Sequence, residues 1–156
     1  MPNEGPVKSR EAFRPQRIMD QDYAFELQLD LFLQSLDELA ARLSEDSRVE
    51  RVWDVLKVNY ADLDLNLDSA AMIAGLSKNY FNTLVRERTG LTFHQLLIRY
   101  RLWKAISIMK SGEFRALSVA MEVGFGSLGT FERNFLRVLG SSPTDFSWRD
   151  RPARKI

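Results

Sequence analysis

The chain repeats itself. Ser69 to Phe93, SAAMIAGLSKNYFNTLVRERTGLTF, and Ser118 to Pro143, SVAMEVGFGSLGTFERNFLRVLGSSP, match when one is displaced by about fifty residues. Ala71 pairs with Ala120, Gly75 with Gly124, and Leu76 with Phe125. After one extra residue in the second turn, Gly126, the pairing resumes: Ser77 with Ser127, Phe81 with Phe131, Val85 with Phe135, Gly90 with Gly140. Each unit reads as a short helix, a glycine turn, a side-chain-capped second helix and a glycine stop.

That order is the layout of a helix-turn-helix. A small residue in the first helix lets the second cross it closely, and a glycine in the turn takes positive φ without steric cost. Apolar residues after the turn bury the inner face of the second helix, which leaves its outer face free to meet base edges. One such pattern is common among helical corners; two in tandem are far more specific. Between them Thr92 opens a long helix that Gly112 ends. At about 1.5 Å per residue it spans roughly 30 Å, close to the ~34 Å between successive major-groove faces of B-DNA.

The rest of the chain agrees. Arg48–Tyr60 repeats apolar residues at helical spacing, Asn66 caps a helix through Ala74, and a last helix is expected near Pro143. No strand pattern of useful length competes. The fold class is all-α: two helix-turn-helix units joined by a long linker helix and preceded by an amphipathic N-terminal helix.

Charge divides along the same line. Residues 1–47 hold 5 Lys/Arg against 10 Asp/Glu, net −5, and residues 48–156 hold 17 against 11, net +6. A basic half beside an acidic one suits contact with a polyanion. The absence of cysteine excludes a disulfide framework, thiolate metal sites and a cysteine nucleophile. There is no apolar run near the ~18 residues a membrane span needs, and no signal-peptide pattern, so a cytoplasmic, non-membrane protein is expected. No phosphate loop and no paired carboxylates at cleft-like spacing accompany the single histidine, and neither an enzyme nor a cofactor or metal is expected.

From Tyr23 to Leu43 one stripe runs along a helix: Phe25, Leu29, Phe32, Leu36, Leu39 and Leu43, spaced alternately by four and three, with Leu27, Leu31 and Leu33 widening it. Such a helix must cover its apolar face. Self-association is the first reading, a homodimer through residues 22–46; packing onto the basic domain and contact with a neighbouring domain are the others.

The segment from about Arg48 to Arg149 resembles the C-terminal DNA-binding domain of AraC/XylS-type bacterial transcription regulators. The second unit carries most of the resemblance: Val123-Gly124-Phe125, Ser127, Phe131, Arg133, Phe135, Gly140, Ser142-Pro143 and Phe146. The first unit matches through Ser77, Tyr80-Phe81 and Thr89-Gly90, and the linker helix through Arg101-Leu102 and Ala105. The resemblance implies seven helices in that segment, contact with two adjacent major-groove segments of double-stranded DNA, and promoter activation through RNA polymerase. It also implies base contacts from Lys78, Asn79, Asn82 and Thr83 in the first unit and from Leu128, Gly129, Thr130 and Arg133 in the second. Asparagine suits adenine and arginine suits guanine. Ser77, Arg86, Ser127 and Arg137 are the implied phosphate contacts. Leu128 and Gly129 stand where these regulators often carry polar residues, and Glu132 lies beside Arg133 as a cytosine acceptor or a salt-bridge partner. Regulators of this type commonly carry a larger N-terminal sensor or dimerisation domain, for which this chain leaves no room, so a short regulator or a fragment is expected. A leucine-rich helix often precedes the DNA-binding domain, which favours dimerisation by Tyr23–Leu43.

The expected organisation is a flexible tail at 1–21, the amphipathic helix at 22–46, the tandem domain at 47–150 and a basic tail at 151–156. His94 is read as a surface or structural residue and Asp62 and Asp64 as solvated loop residues. Trp53, Trp103 and Trp148 are read as packing residues. The alternative function is a protein-interaction module acting through the acidic leucine-rich helix, with weak DNA binding.

Overall fold

Local capping chemistry sets the helix boundaries in the computed structural model, which describes the backbone of residues 15–144 and side chains from Ala24. Seven helices follow in order: α1 (Pro15–Leu43), α2 (Ser47–Asn59), α3 (Leu67–Ala74), α4 (Lys78–Thr89), α5 (Phe93–Lys110), α6 (Ala116–Glu122) and α7 (Leu128–Leu139). Asp46 caps α2 by accepting from the Arg48 N–H at 2.8 Å. Asn66 with Ser69, and Thr92 with Gln95, close reciprocal capping boxes on α3 and α5. Ser77 and Ser127 accept from the N–H three residues on, each at 3.2 Å, and so start α4 and α7. Gly75, Gly90 and Gly140 end α3, α4 and α7 in the left-handed conformation.

One apolar core runs through all seven helices. Phe81, Leu84 and Val85 of α4 and Phe131, Phe135 and Leu139 of α7 turn inward. Leu96, Leu97, Leu102, Ala105 and Ile106 bury most of the circumference of α5 between the two units. Trp53 and Trp103 form ring contacts with Tyr100 at 5.3 and 5.4 Å, between α2 and α5, as packing residues. Trp148, Phe146, the basic tail and the greater part of the expected tail at 1–21 lie outside the described residues. So does any helix beyond Pro143 and Thr144, which form a turn; α2–α7 supply six described helices to the domain.

Three expectations about the N-terminal helix change. It begins at Pro15, so residues 15–21 are helix rather than tail; a proline at the first helical position loses only an N–H that would have no helical partner. The stripe expected for dimerisation is occupied within the chain. Phe25, Leu29, Phe32, Leu36, Leu39 and Leu43 are each at most 8% exposed, and α1 packs against α2, α4, α5 and α7. Burial of each such side chain contributes about 1.5–3 kcal/mol, and the domain surface offers that burial without a second chain. The stripe is also narrower than expected: Leu33 packs against the core, whereas Leu27 and Leu31 are half exposed. Among the described residues no helix is long and apolar enough to cross a membrane.

Candidate nucleic-acid interface

Each unit fixes its second helix from behind and leaves the other face open. Gly75, at φ 68°, turns the chain from α3 into α4. Lys78, Asn79, Thr83 and Arg86 are exposed on α4, and Asn82 is half-buried beside them. Asp68 holds the Lys78 ammonium at 3.0 Å, which steadies that cation at the start of the helix. Tyr80, also on this end, accepts a hydrogen bond from the Arg48 guanidinium at 3.1 Å. Arg48 pairs in turn with Asp46 at 3.3 Å. The backbone N–H of Arg48, and then its guanidinium, hold the Asp46 carboxyl below its ordinary pKa, and the carboxylate raises that of Arg48. Arg48 and Tyr80 were not among the residues expected at the interface. Arg48 stands one residue after the polar break, with no local motif to mark it.

The second unit is more tightly built at its turn. Gly124 has φ 94°, and a Cβ there would lie 2.8 Å from the Tyr60 carbonyl oxygen and 2.9 Å from the Cα and carbonyl oxygen of Ala61. The turn before α7 is therefore pressed onto the loop after α2. Gly126 continues the approach, where a Cβ would meet the Leu63 side chain at 3.2 Å. Arg101 of α5 braces the same loop from inside. Only 8% exposed, it donates from Nε to the Tyr60 carbonyl at 2.6 Å and from Nη2 to the Asp62 carbonyl at 2.7 Å. Burial lowers the Arg101 pKa and the nearby Asp62 charge opposes that shift. The Asp62 carboxylate accepts from the Asp64 N–H at 2.9 Å, so it shapes the loop.

Along α7 the Ser127 hydroxyl accepts from the Thr130 N–H and donates to the Thr130 hydroxyl at 2.9 Å. Thr130 Oγ1 also accepts from Arg133 Nη2 at 3.4 Å. Arg133 thus turns to the helix cap rather than to Glu132. Arg137 donates to the Asn134 side-chain oxygen at 2.6 Å. Gly129, Arg133 and Arg137 are exposed, and Thr130 is half-buried. Leu128 is the exception among the expected base contacts. It packs against the core, because an apolar side chain at the first turn gains more from burial than from water.

Arg137 also lines a cleft between α5 and α7 with Arg99 and the exposed His94. Among the described residues no group of three or more His, Asp or Glu is placed to hold a metal ion. The outer face of α4 offers amide, hydroxyl and cationic groups; that of α7 offers two arginines, a threonine tied into its cap and an uncovered stretch of backbone at Gly129.

Residues 70–149 match a family described as a helix-turn-helix domain. The probable transcriptional regulator LumQ of Photobacterium leiognathi is 30% identical over 120 residues, which cover 74% of this chain and 48% of LumQ. The chain thus spans about half the length of that relative. Regulatory protein SoxS of Salmonella typhimurium is 31% identical over 90 residues, 58% of this chain and 84% of SoxS. In structure, the chain resembles the DNA-binding domain of AdpA, a global transcriptional factor solved in complex with a target DNA. The TM-score is 0.58 at 28% identity, over 65% of this chain and 89% of that one. With the tandem units, the repeated cap-and-turn chemistry and these relatives, the chain belongs to the AraC-type family of helix-turn-helix transcription regulators.

Proposed function

We propose that the chain binds promoter DNA sequence-specifically by setting α4 and α7 into adjacent major-groove segments. One observation carries this reading: the two units build the same capped helix, bury its inner face on a shared core, and leave polar and cationic groups outward on both. The joining helix α5 has 18 residues, about 27 Å, against the ~34 Å of one helical turn of DNA. Asn79, Asn82, Thr83 and Lys78 would read bases in one segment, and Arg133 and Thr130 in the next. Ser77, Ser127, Arg86 and Arg137 would hold phosphates. Leu128 would support α7 from inside. RNA polymerase is the proposed partner in activation, at promoters in the bacterial cytoplasm. Any self-association through α1 would use the face carrying Leu27 and Leu31. An interaction module acting through the acidic leucine-rich helix is the weaker reading, since the apolar stripe from Phe25 to Leu43 is already packed into the domain core.

Capture of genomic DNA fragments on the purified chain at moderate salt tests the reading. Enrichment of a small set of fragments supports it. Uniform recovery of all fragments, or none, overturns it, because the phosphate attraction that remains without base reading is indifferent to sequence.

A further inference from the structure

We infer that α1 is a positioning strut that fixes the angle of α7 relative to α4, and with it the half-site spacing the protein accepts. This rests on the DNA-reading role proposed for α4 and α7. From Phe25 onward, different parts of α1 are held by different units. About a third of the way along α1, Phe25 stacks on Phe135 of α7, with ring centroids 6.4 Å apart and planes 17° apart. One turn on, the Gln28 amide donates to the Val138 carbonyl at 3.4 Å. Near its end Ser35, Glu38, Leu39 and Arg42 lie beside Thr89 and Leu91, where α4 gives way to α5. Just beyond α1, Glu45 pairs with Arg88 of α4 at 3.6 Å. From Phe25 to Leu43 the helix covers about 27 Å. It is a second rod laid between the units, parallel in role to the covalent connection α5.

The placement of its contacts explains why α7 would need it. The turn before α7 is pinned where Gly124 meets Tyr60 and Ala61. That contact lies at the N-terminal end of α7 and can act as a pivot. Phe135 and Val138 lie at the other end, two and three turns away along the helix. Held at both ends, α7 has one direction; released from α1, it keeps its own packing on α5 and α6 but gains freedom to swing about the turn. Reading two groove segments on one duplex is sensitive to such a swing. One added base pair shifts the far segment by about 3.4 Å and rotates it by about 35°.

The chain has no cysteine, so two introduced thiols can carry spin labels without interference. Thr83→Cys and Gly129→Cys place them on the exposed faces of α4 and α7, and pulsed dipolar spectroscopy of the whole chain without DNA reads the distance between them. A single narrow distribution is expected in the otherwise unaltered protein. Phe25→Ala should broaden it and Leu31→Ala, on the outer face of α1, should not. Phe25→Leu keeps most of the buried volume and serves where the alanine variant loses helix content by circular dichroism; it too should broaden the distribution. An unchanged width in a folded Phe25 variant overturns the inference, whatever the protein does with DNA. On a DNA site selected by the unaltered protein, one inserted base pair should weaken binding about tenfold or more. The folded, unlabelled Phe25 variant should lose clearly less, and an equal loss counts against the strut. Failure of the unaltered protein to select any site would overturn DNA reading alone, since the label distances are measured without DNA.

Discussion

Arg101 donates from Nε to the carbonyl oxygen of Tyr60 across 2.6 Å. That carbonyl lies on the loop against which the Gly124 turn is pressed. One loop therefore receives the linker helix from inside and the second helix-turn-helix unit from outside. Arg101→Met should cost about 1.5–3 kcal/mol, the range for hydrogen bonds to charged groups, and Arg101→Lys should recover little, since an ammonium cannot fork to two carbonyls as a guanidinium does. Urea denaturation reads both. A loss below half a kilocalorie per mole, on the order of surface substitutions, would mean the brace is dispensable.

Gly124→Ala should destabilise more than Gly75→Ala. Both glycines have positive φ, 94° and 68°, but only Gly124 has main-chain atoms within 3 Å of a Cβ. The left-handed conformation alone costs about 1–2 kcal/mol, which Gly75→Ala should show. The excess for Gly124→Ala measures the pressed contact, and equal losses would deny it.

Gly129→Ala should stabilise the fold. Gly129 is helical and a Cβ there meets nothing within 4 Å. An exposed helical glycine replaced by alanine gains about 0.5–1 kcal/mol. Thermal denaturation should show the rise. A fall would mean the first turn of α7 is not helical in solution.

Asp46 gives the α2 cap a pH dependence. Its carboxyl is held below the ordinary 3.8 by the Arg48 N–H and guanidinium. A depressed carboxyl contributes stability that is full above its unfolded value and is lost as pH falls through the folded value. Asn can cap the same helix without ionising. The stability advantage of Asp46 over Asp46→Asn should therefore shrink below about pH 3.8, as thermal midpoints across an acid series would show. An advantage independent of pH would place the effect elsewhere.

Sequence made the boundaries legible because capping is local chemistry. Asn66, Ser77, Thr92 and Ser127 start their helices, and Gly75, Gly90 and Gly140 stop theirs, within a residue or two of the pattern. The outward faces of α4 and α7 followed from the buried positions of Phe81 and Phe131. Long-range choices left weaker marks. Periodicity required the Phe25–Leu43 stripe to be covered, yet carried nothing to distinguish a second chain from the chain's own domain. Arg101 could be aligned but not assigned, because its partners are main-chain carbonyls 41 and 39 residues away with no side-chain signature. Leu128 occupies a position of α7 expected to face DNA, and only the fold reveals that it turns to the core.

Selection from a random DNA pool, run in parallel on the unaltered chain, Asn79→Ala and Arg133→Ala, tests two-helix reading most directly. The unaltered chain should select a bipartite site whose halves lie about one helical turn apart. Asn79→Ala should relax preference in one half only and Arg133→Ala in the other, each by about 1–3 kcal/mol at the affected position. Variants that weaken binding without altering preference at any position, or a site with a single half, would contradict it.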